Sequence, residues 1–103
     1  MKDNRITVTG IPNTNLKKIT LKNDFLEVVL LNYGARLHQL LMPNKNNHWE
    51  NILLSYDSYQ DVLKDQSFFG ATVGPVAGRI RNGHWQNGIL EQNSDGHHIH
   101  GGS

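Results

Sequence analysis

No cysteine occurs in the 103 residues, so no disulfide can staple the fold, and a reducing, cytoplasmic setting is the compatible expectation. Charge of one sign is also lacking. Ten Lys and Arg stand against nine Asp and Glu, for a net charge of +1, and the basic residues are scattered singly. A nucleic-acid surface would gather them on one face, so no nucleic-acid partner is expected. The longest apolar run, Val28 to Leu31, is far too short to span a bilayer, and no charged start leads into an apolar secretory segment. Neither a membrane nor export is therefore indicated. No stretch is rich enough in Pro, Gly or Ser to act as a linker, and no repeat is present. The chain reads as one domain or part of one.

What is there is a series of short extended segments separated by turn residues. Ile6 and Val8 alternate with polar residues in a short edge strand, and Ile19 and Leu21 do the same between Lys18 and Lys22. Asn23 and Asp24 mark a turn, and Phe25 to Asn32 follows as the strongest strand. Asn32, Tyr33 and Gly34 break it. Ala35 to Met42 resumes an extended pattern in which Leu37 and Leu40 are out of phase, which leaves a bulge or a partly helical segment open. Pro43 to His48 is a polar turn, and Trp49 to Tyr56 is expected to be a further strand. Ser58 to Lys64 is the one plausible helical turn, capped by Ser58 with Asp61 three residues on, and Tyr59, Val62 and Leu63 would share its buried side. Successive short strands joined by turns predict an all-β, antiparallel architecture, a sandwich or a broad stacked sheet.

The sharpest chemistry lies between Gly70 and Gly102. Gly70, Gly74, Pro75 and Gly78 lead into Arg79, Ile80 and Arg81. The spacing matches neither a phosphate loop, which needs a terminal Lys followed by Ser or Thr, nor the dinucleotide fingerprint. What remains is an arginine held on a compact backbone, whose fork of donors suits two oxygens at once, a carboxylate or neighbouring sugar hydroxyls. If the segment is extended, Arg79 and Arg81 share a face and Ile80 takes the other. A surface or ion-pairing role is the plain alternative for either.

His97, His98 and His100 precede Gly101 and Gly102. In a strand, His98 and His100 would share a face and could chelate a metal. A full set would need His38, His48, His84 or Glu91 to fold in beside them, and no HExxH spacing is present. Polar recognition or proton transfer is the favoured use of these histidines. Trp49 and Trp85 could stack on a sugar or base, but packing in the core or at its rim is more economical. The chain stops directly after these residues, which suggests the front part of a longer protein or one piece of a cleaved or split one.

Four stretches together resemble the aldose 1-epimerase (galactose mutarotase) family: LNYGARLHQLLMP at 31–43, ILLSYDSYQDVL at 52–63, FFGATVGPVAGRIRNG at 68–83 and HHIHGG at 97–102. The resemblance runs from Ile19 onward and is most specific in the last two blocks. It implies an antiparallel β-sandwich of the galactose mutarotase supersandwich type, with residues 1–103 as the N-terminal segment of a single such domain. The implied activity is interconversion of the α and β anomers of a free aldohexose, galactose or glucose, with no metal or organic cofactor.

By that resemblance Arg79 falls on the substrate-binding arginine and His100 on the histidine that positions the sugar near its ring oxygen. His98 falls on a position that contributes near the sugar. Pro75 and Gly78 stand where the commonest form has arginine and asparagine, and the Gly88 to Asn93 segment is shorter than usual. The family's general acid and general base would both lie beyond Ser103, so Arg79 and His100 have supporting roles. The partners implied are the sugar and the remaining C-terminal part of the protein or another copy of the chain. A noncatalytic carbohydrate-binding β-domain is the alternative.

Overall fold

The computed structural model describes residues 5–102. They form two compact units, divided between Thr72 and Val73. The first unit is a five-stranded antiparallel meander, β1 (Arg5–Gly10), β2 (Lys17–Lys22), β3 (Glu27–Leu31), β4 (Arg36–Pro43) and β5 (Trp49–Asn51), with each strand beside its sequence neighbours. Helix α1 (Tyr59–Leu63) follows. The second unit holds a two-stranded hairpin, β6 (His84–Trp85) and β7 (Gly88–Ile89), and isolated bridges around it. The all-β, antiparallel expectation holds, and β1 to β4 fall where alternation and turn residues placed them.

Local chemistry fixes the turns. The Asn23 side chain accepts hydrogen bonds from the amides of Phe25 and Leu26, each at 2.8 Å, and closes the β2–β3 connection. Asn44 accepts from the amides of Asn46 and His48 in the β4–β5 turn. The expected strand from Trp49 to Tyr56 ends at Asn51 instead. There the Asn51 carbonyl oxygen takes the amides of Leu40 and Leu53, at 3.1 and 3.2 Å, so a side chain replaces the ladder and turns the chain off the sheet.

A bulge between β3 and β4 accounts for the phase change seen in the sequence. Val29 pairs with Gln39 but Leu30 pairs with Leu37, so His38 is the extra residue. As a result Arg36 and His38 share the face of Val29 and Leu31, the face that α1 and the segment after it cover. Leu31 is 1% exposed, Val29 3% and Val62 of α1 is fully buried. Ser58 caps the helix by accepting from the Gln60 amide at 3.1 Å. Of the three residues expected on its buried side, Val62 is buried and Tyr59 half-buried, but Leu63 stays exposed.

Arg36 and Asp65 form an ion pair under this layer, with Nη1 to Oδ2 at 3.0 Å and side chains 5% and 1% exposed. Asp65 also accepts from the Tyr56 hydroxyl at 2.6 Å and from the amides of Ser67 and Phe69. Burial pushes the Asp65 carboxyl up. The hydrogen bonds from Tyr56, Ser67 and Arg36, with the Arg36 charge, outweigh it and hold the carboxyl below its usual range. The same contact raises the Tyr56 hydroxyl, because its proton is shared with an anion.

The chain then closes onto β4. Leu37 donates to the Gly70 carbonyl at 2.9 Å, and the Thr72 amide and hydroxyl bond the carbonyls of Gly34 and Ala35. Gly70 has φ +69, and a Cβ there would overlap the Leu37 carbonyl oxygen, so glycine is required by both conformation and space.

Candidate functional site

The Arg79 and His97 to His100 segments lie together in the second unit, laid out antiparallel. Ile80 and His98 exchange both backbone hydrogen bonds, at 2.8 and 3.0 Å, and the His100 amide donates to the Ala77 carbonyl at 3.2 Å. Arg79 thus stands opposite Ile99, one step from each of the two histidines. The two segments approach because of the turn before His97. Asp95 and Gly96 have φ +48 and +79, the double positive-φ geometry of a tight hairpin turn, and Ser94 and His97 exchange hydrogen bonds across it.

Asparagine and glycine hold the far end. The Asn93 side chain accepts from the Ile99 amide at 2.8 Å and donates to its carbonyl at 3.0 Å, standing in for a paired strand. Gly101, at φ +79, comes so close to Gly74 that a Cβ would overlap the Gly74 carbonyl oxygen. A Cβ on Gly102 would meet the Glu91 carboxylate. The peptide between Gly74 and Pro75 is cis. Direct backbone approach between the two segments therefore requires glycine at Gly101, while a Cβ at Gly74 or Gly78 would meet open space.

The five candidate side chains have different environments. Arg79 is exposed, and among the described residues no hydrogen bond or ion pair occupies its guanidinium. Arg81 is also exposed but opens a 3-10 turn, Arg81–Gly83, in place of a continuing strand. The shared face expected of the two arginines does not form as a strand face. His97 is half-buried, and its Nδ1 accepts from the Asn82 amide at 3.0 Å, which assigns it to bracing that turn.

His98 is 2% exposed. Its Nδ1 lies 2.8 Å from the Glu91 carbonyl, which can only accept, so Nδ1 carries a proton and the neutral form of the ring keeps its lone pair on Nε2. Nε2 is buried with no hydrogen-bond partner among the described residues. His100 is half-buried with φ +54. That left-handed conformation breaks the alternation that would have set His98 and His100 on one strand face. Among the described residues, no group of three or more His, Cys, Asp or Glu is placed to hold a metal ion. Trp85 is half-buried within β6, and Trp49 lies 5.6 Å from the Lys22 ammonium in a cation–π contact.

Sequence reasoning missed the Arg36–Asp65–Tyr56 cluster of the first unit. Its partners are 29 residues apart, and no local pattern announces the pairing. The available signal was an Arg at the start of an apolar strand and a His two residues into it. His38, 5% exposed and 5.3 Å from the Tyr59 ring, has a lowered pKa because burial and the charges of Arg36 and Lys18 disfavour its cation. An open cavity of about 540 Å³ also lies in this unit, lined by Thr14, Asn15, Leu16, Asn32, Tyr33 and Leu63. No helix among the described residues is long and apolar enough to cross a membrane.

Comparison with known proteins identifies the family. The sequence profile described as aldose 1-epimerase matches residues 17–103. An aldose 1-epimerase from Lactobacillus helveticus is 40% identical over 93 residues, covering 85% of this chain and 68% of that one. The crystal structure of a galactose 1-epimerase from Lactobacillus acidophilus superposes with a TM-score of 0.68 at 38% identity, over 99% of this chain and 31% of its own. An aldose epimerase homologue from C. elegans gives 0.64 at 28% identity, over 96% and 28%. The chain belongs to the aldose 1-epimerase family, and its antiparallel β-fold is that of galactose mutarotase-type structures. It spans less than a third of the two solved relatives.

Proposed function

We propose that this chain supplies the sugar-holding part of an aldose 1-epimerase site, in which a free aldohexose such as galactose or glucose is interconverted between its α and β anomers. The observation that carries the reading is the unoccupied, exposed Arg79 fork on a strip whose backbone is bonded to the His98–His100 segment. Two parallel N–H donors suit a pair of adjacent sugar oxygens, and a fixed backbone beneath them lowers the cost of orienting the ring.

Anomerisation removes the proton from the C1 hydroxyl and delivers one to the ring oxygen. The ring opens to the aldehyde, the C1–C2 bond rotates, and closure occurs on the opposite carbonyl face with the transfers reversed. Arg79 and His100 fix the sugar oxygens and stabilise charge as it shifts during opening. His98 offers a hydroxyl the lone pair that its bond to Glu91 leaves on Nε2. No residue of this chain is assigned as general acid or general base, and the scheme uses no metal or organic cofactor. The same reading takes residues 1–103 as the N-terminal segment of a single epimerase-like domain acting in the cytoplasm.

Two measurements on the 103-residue chain test it. Saturation-transfer NMR with galactose or glucose detects contact with the sugar, and polarimetry of freshly dissolved α-galactose detects catalysis. The expected result is sugar contact that Arg79→Ala and His100→Ala each abolish, with no acceleration of anomerisation by the chain alone. Sugar contact unchanged in both variants would overturn the assignment of the site. Acceleration by the isolated chain that either substitution removes would overturn the placement of acid and base elsewhere.

A further inference from the structure

Ile99 lies between the two histidines, and its backbone groups are turned away from the segment that carries Arg79. Ile80 and His98 exchange both hydrogen bonds of their pair, so the next pair, Arg79 and Ile99, has none across the ladder. On the far side the Asn93 amide takes both Ile99 groups. Its Oδ1 accepts from the Ile99 N–H at 2.8 Å, and its Nδ2 donates to the Ile99 carbonyl at 3.0 Å. Asparagine carries a donor and an acceptor on one planar group, so it closes both bonds where ionised aspartate or leucine cannot.

The Ile99 carbonyl also closes a turn. The Gly102 amide donates to it at 3.1 Å, and the two residues between, His100 and Gly101, have φ +54 and +79. Positive φ at both central residues is the type I′ arrangement, whose first central place asparagine, aspartate and glycine favour. A histidine there keeps a backbone conformation that its own side chain disfavours, so the surroundings must hold it. Gly101 lies against the Gly74 carbonyl and Gly102 beside the Glu91 carboxylate, and Asn93 holds the carbonyl on which the turn closes. Asn93 is half-buried with both its polar atoms bonded to Ile99, so it acts on a ligand only through the backbone it holds.

We propose that Asn93 is a positioning residue for the sugar. By fixing the Ile99 carbonyl it holds the 99–102 turn, and with it the left-handed His100 conformation from which the imidazole meets the sugar. The inference rests on the reading of Arg79 and His100 as sugar-holding groups, which itself assigns nothing to Asn93.

The test uses the 103-residue chain with two substitutions. Asn93→Leu removes both bonds, and Asn93→Asp keeps the acceptor for the Ile99 N–H but sets a carboxylate against the Ile99 carbonyl. Two quantities are read by NMR. One is the strong contact between the amide and Cα protons within His100, which a positive φ brings and a negative φ does not. The other is a saturation-transfer titration with galactose. In Asn93→Leu the His100 signature should be lost and galactose contact weakened about tenfold, the scale of one hydrogen bond, with the resonances of the five-stranded sheet in place. Asn93→Asp should weaken the contact in the same direction while the Ile99 amide stays protected from exchange. Its shape matches asparagine, so it carries the test if Asn93→Leu does not fold.

A residue that merely stabilised the fold would lower the thermal midpoint and leave both the His100 signature and the affinity of the folded chain unchanged. Galactose contact in the variants equal to that of the unsubstituted chain would therefore overturn the inference alone, as would weakened contact with the His100 signature intact. Absence of galactose contact in the unsubstituted chain would overturn the sugar-site reading and the inference with it.

Discussion

Replacing Asp65 by asparagine should cost more than removing the arginine it pairs with, and the hydrogen bonds say why. Among the described residues Arg36 has one hydrogen-bonding partner, Asp65, and one ring contact, Tyr33 at 5.6 Å, while its Nε is buried and unpaired. Asp65→Asn therefore strands a buried cation, a loss of about 3–5 kcal/mol. Arg36→Met leaves the carboxylate with the Tyr56 hydroxyl and two backbone amides, so one charge-assisted hydrogen bond is lost, about 2 kcal/mol. The double variant Arg36→Met/Asp65→Leu should be less destabilised than the sum of the single substitutions. Urea unfolding at neutral pH, followed by tryptophan fluorescence, measures all three. The pH dependence has a definite sign. The folded pKa of Asp65 lies below its unfolded value of 3.8, so its contribution is complete above that pH and drains away as pH falls through the folded value. Equal losses in the two single variants, or a gap between native chain and Asp65→Asn that widens in acid, would refute the reasoning.

Three further outcomes follow from the same unit. The pKa of His38 is lowered from 6.5, so stability is complete above that value and falls as pH drops through the folded one; His38→Gln should flatten the urea midpoint between about pH 7 and pH 5. Gly70→Ala should cost at least about 1–2 kcal/mol from the left-handed backbone alone, with added strain against the Leu37 carbonyl, read as a lowered thermal midpoint. Val62→Ala, at the one fully buried position of α1, should cost about 2 kcal/mol in the same assay, whereas Leu63→Ala beside it should change little.

The sheet was largely legible because its signals are local. Alternation in β1 and β2 and the Asn23 turn each report on a few neighbouring residues, and the phase slip between Leu37 and Leu40 showed as a bulge or a short helical segment. The strand expected to reach Tyr56 was overextended, because Ile52 to Leu54 looks like a strand and only the Asn51 side chain, bonding two amides, ends the ladder. Arg79 and the histidines were found as residue types. Their geometry was not, because it depends on the Asp95–Gly96 turn and the left-handed His100, which periodicity cannot express. The Arg36–Asp65 pair left no trace in sequence because it is made by tertiary contact alone.

The extra residue at His38 has a consequence for insertions and deletions. Upstream of it β4 delivers Arg36 to the helix side, and downstream it delivers Leu40 to the opposite side, so one strand serves two incompatible phases. Loss of that one residue would regularise the strand with both phases kept, Arg36 still opposite Leu31 and Leu40 still opposite Val28, and would remove only the helix-side imidazole and the local kink. The strand should therefore tolerate a change in length by one residue at this point better than elsewhere along β4, and homologous chains should differ in count here before they differ in the pairing of Arg36 and Leu40.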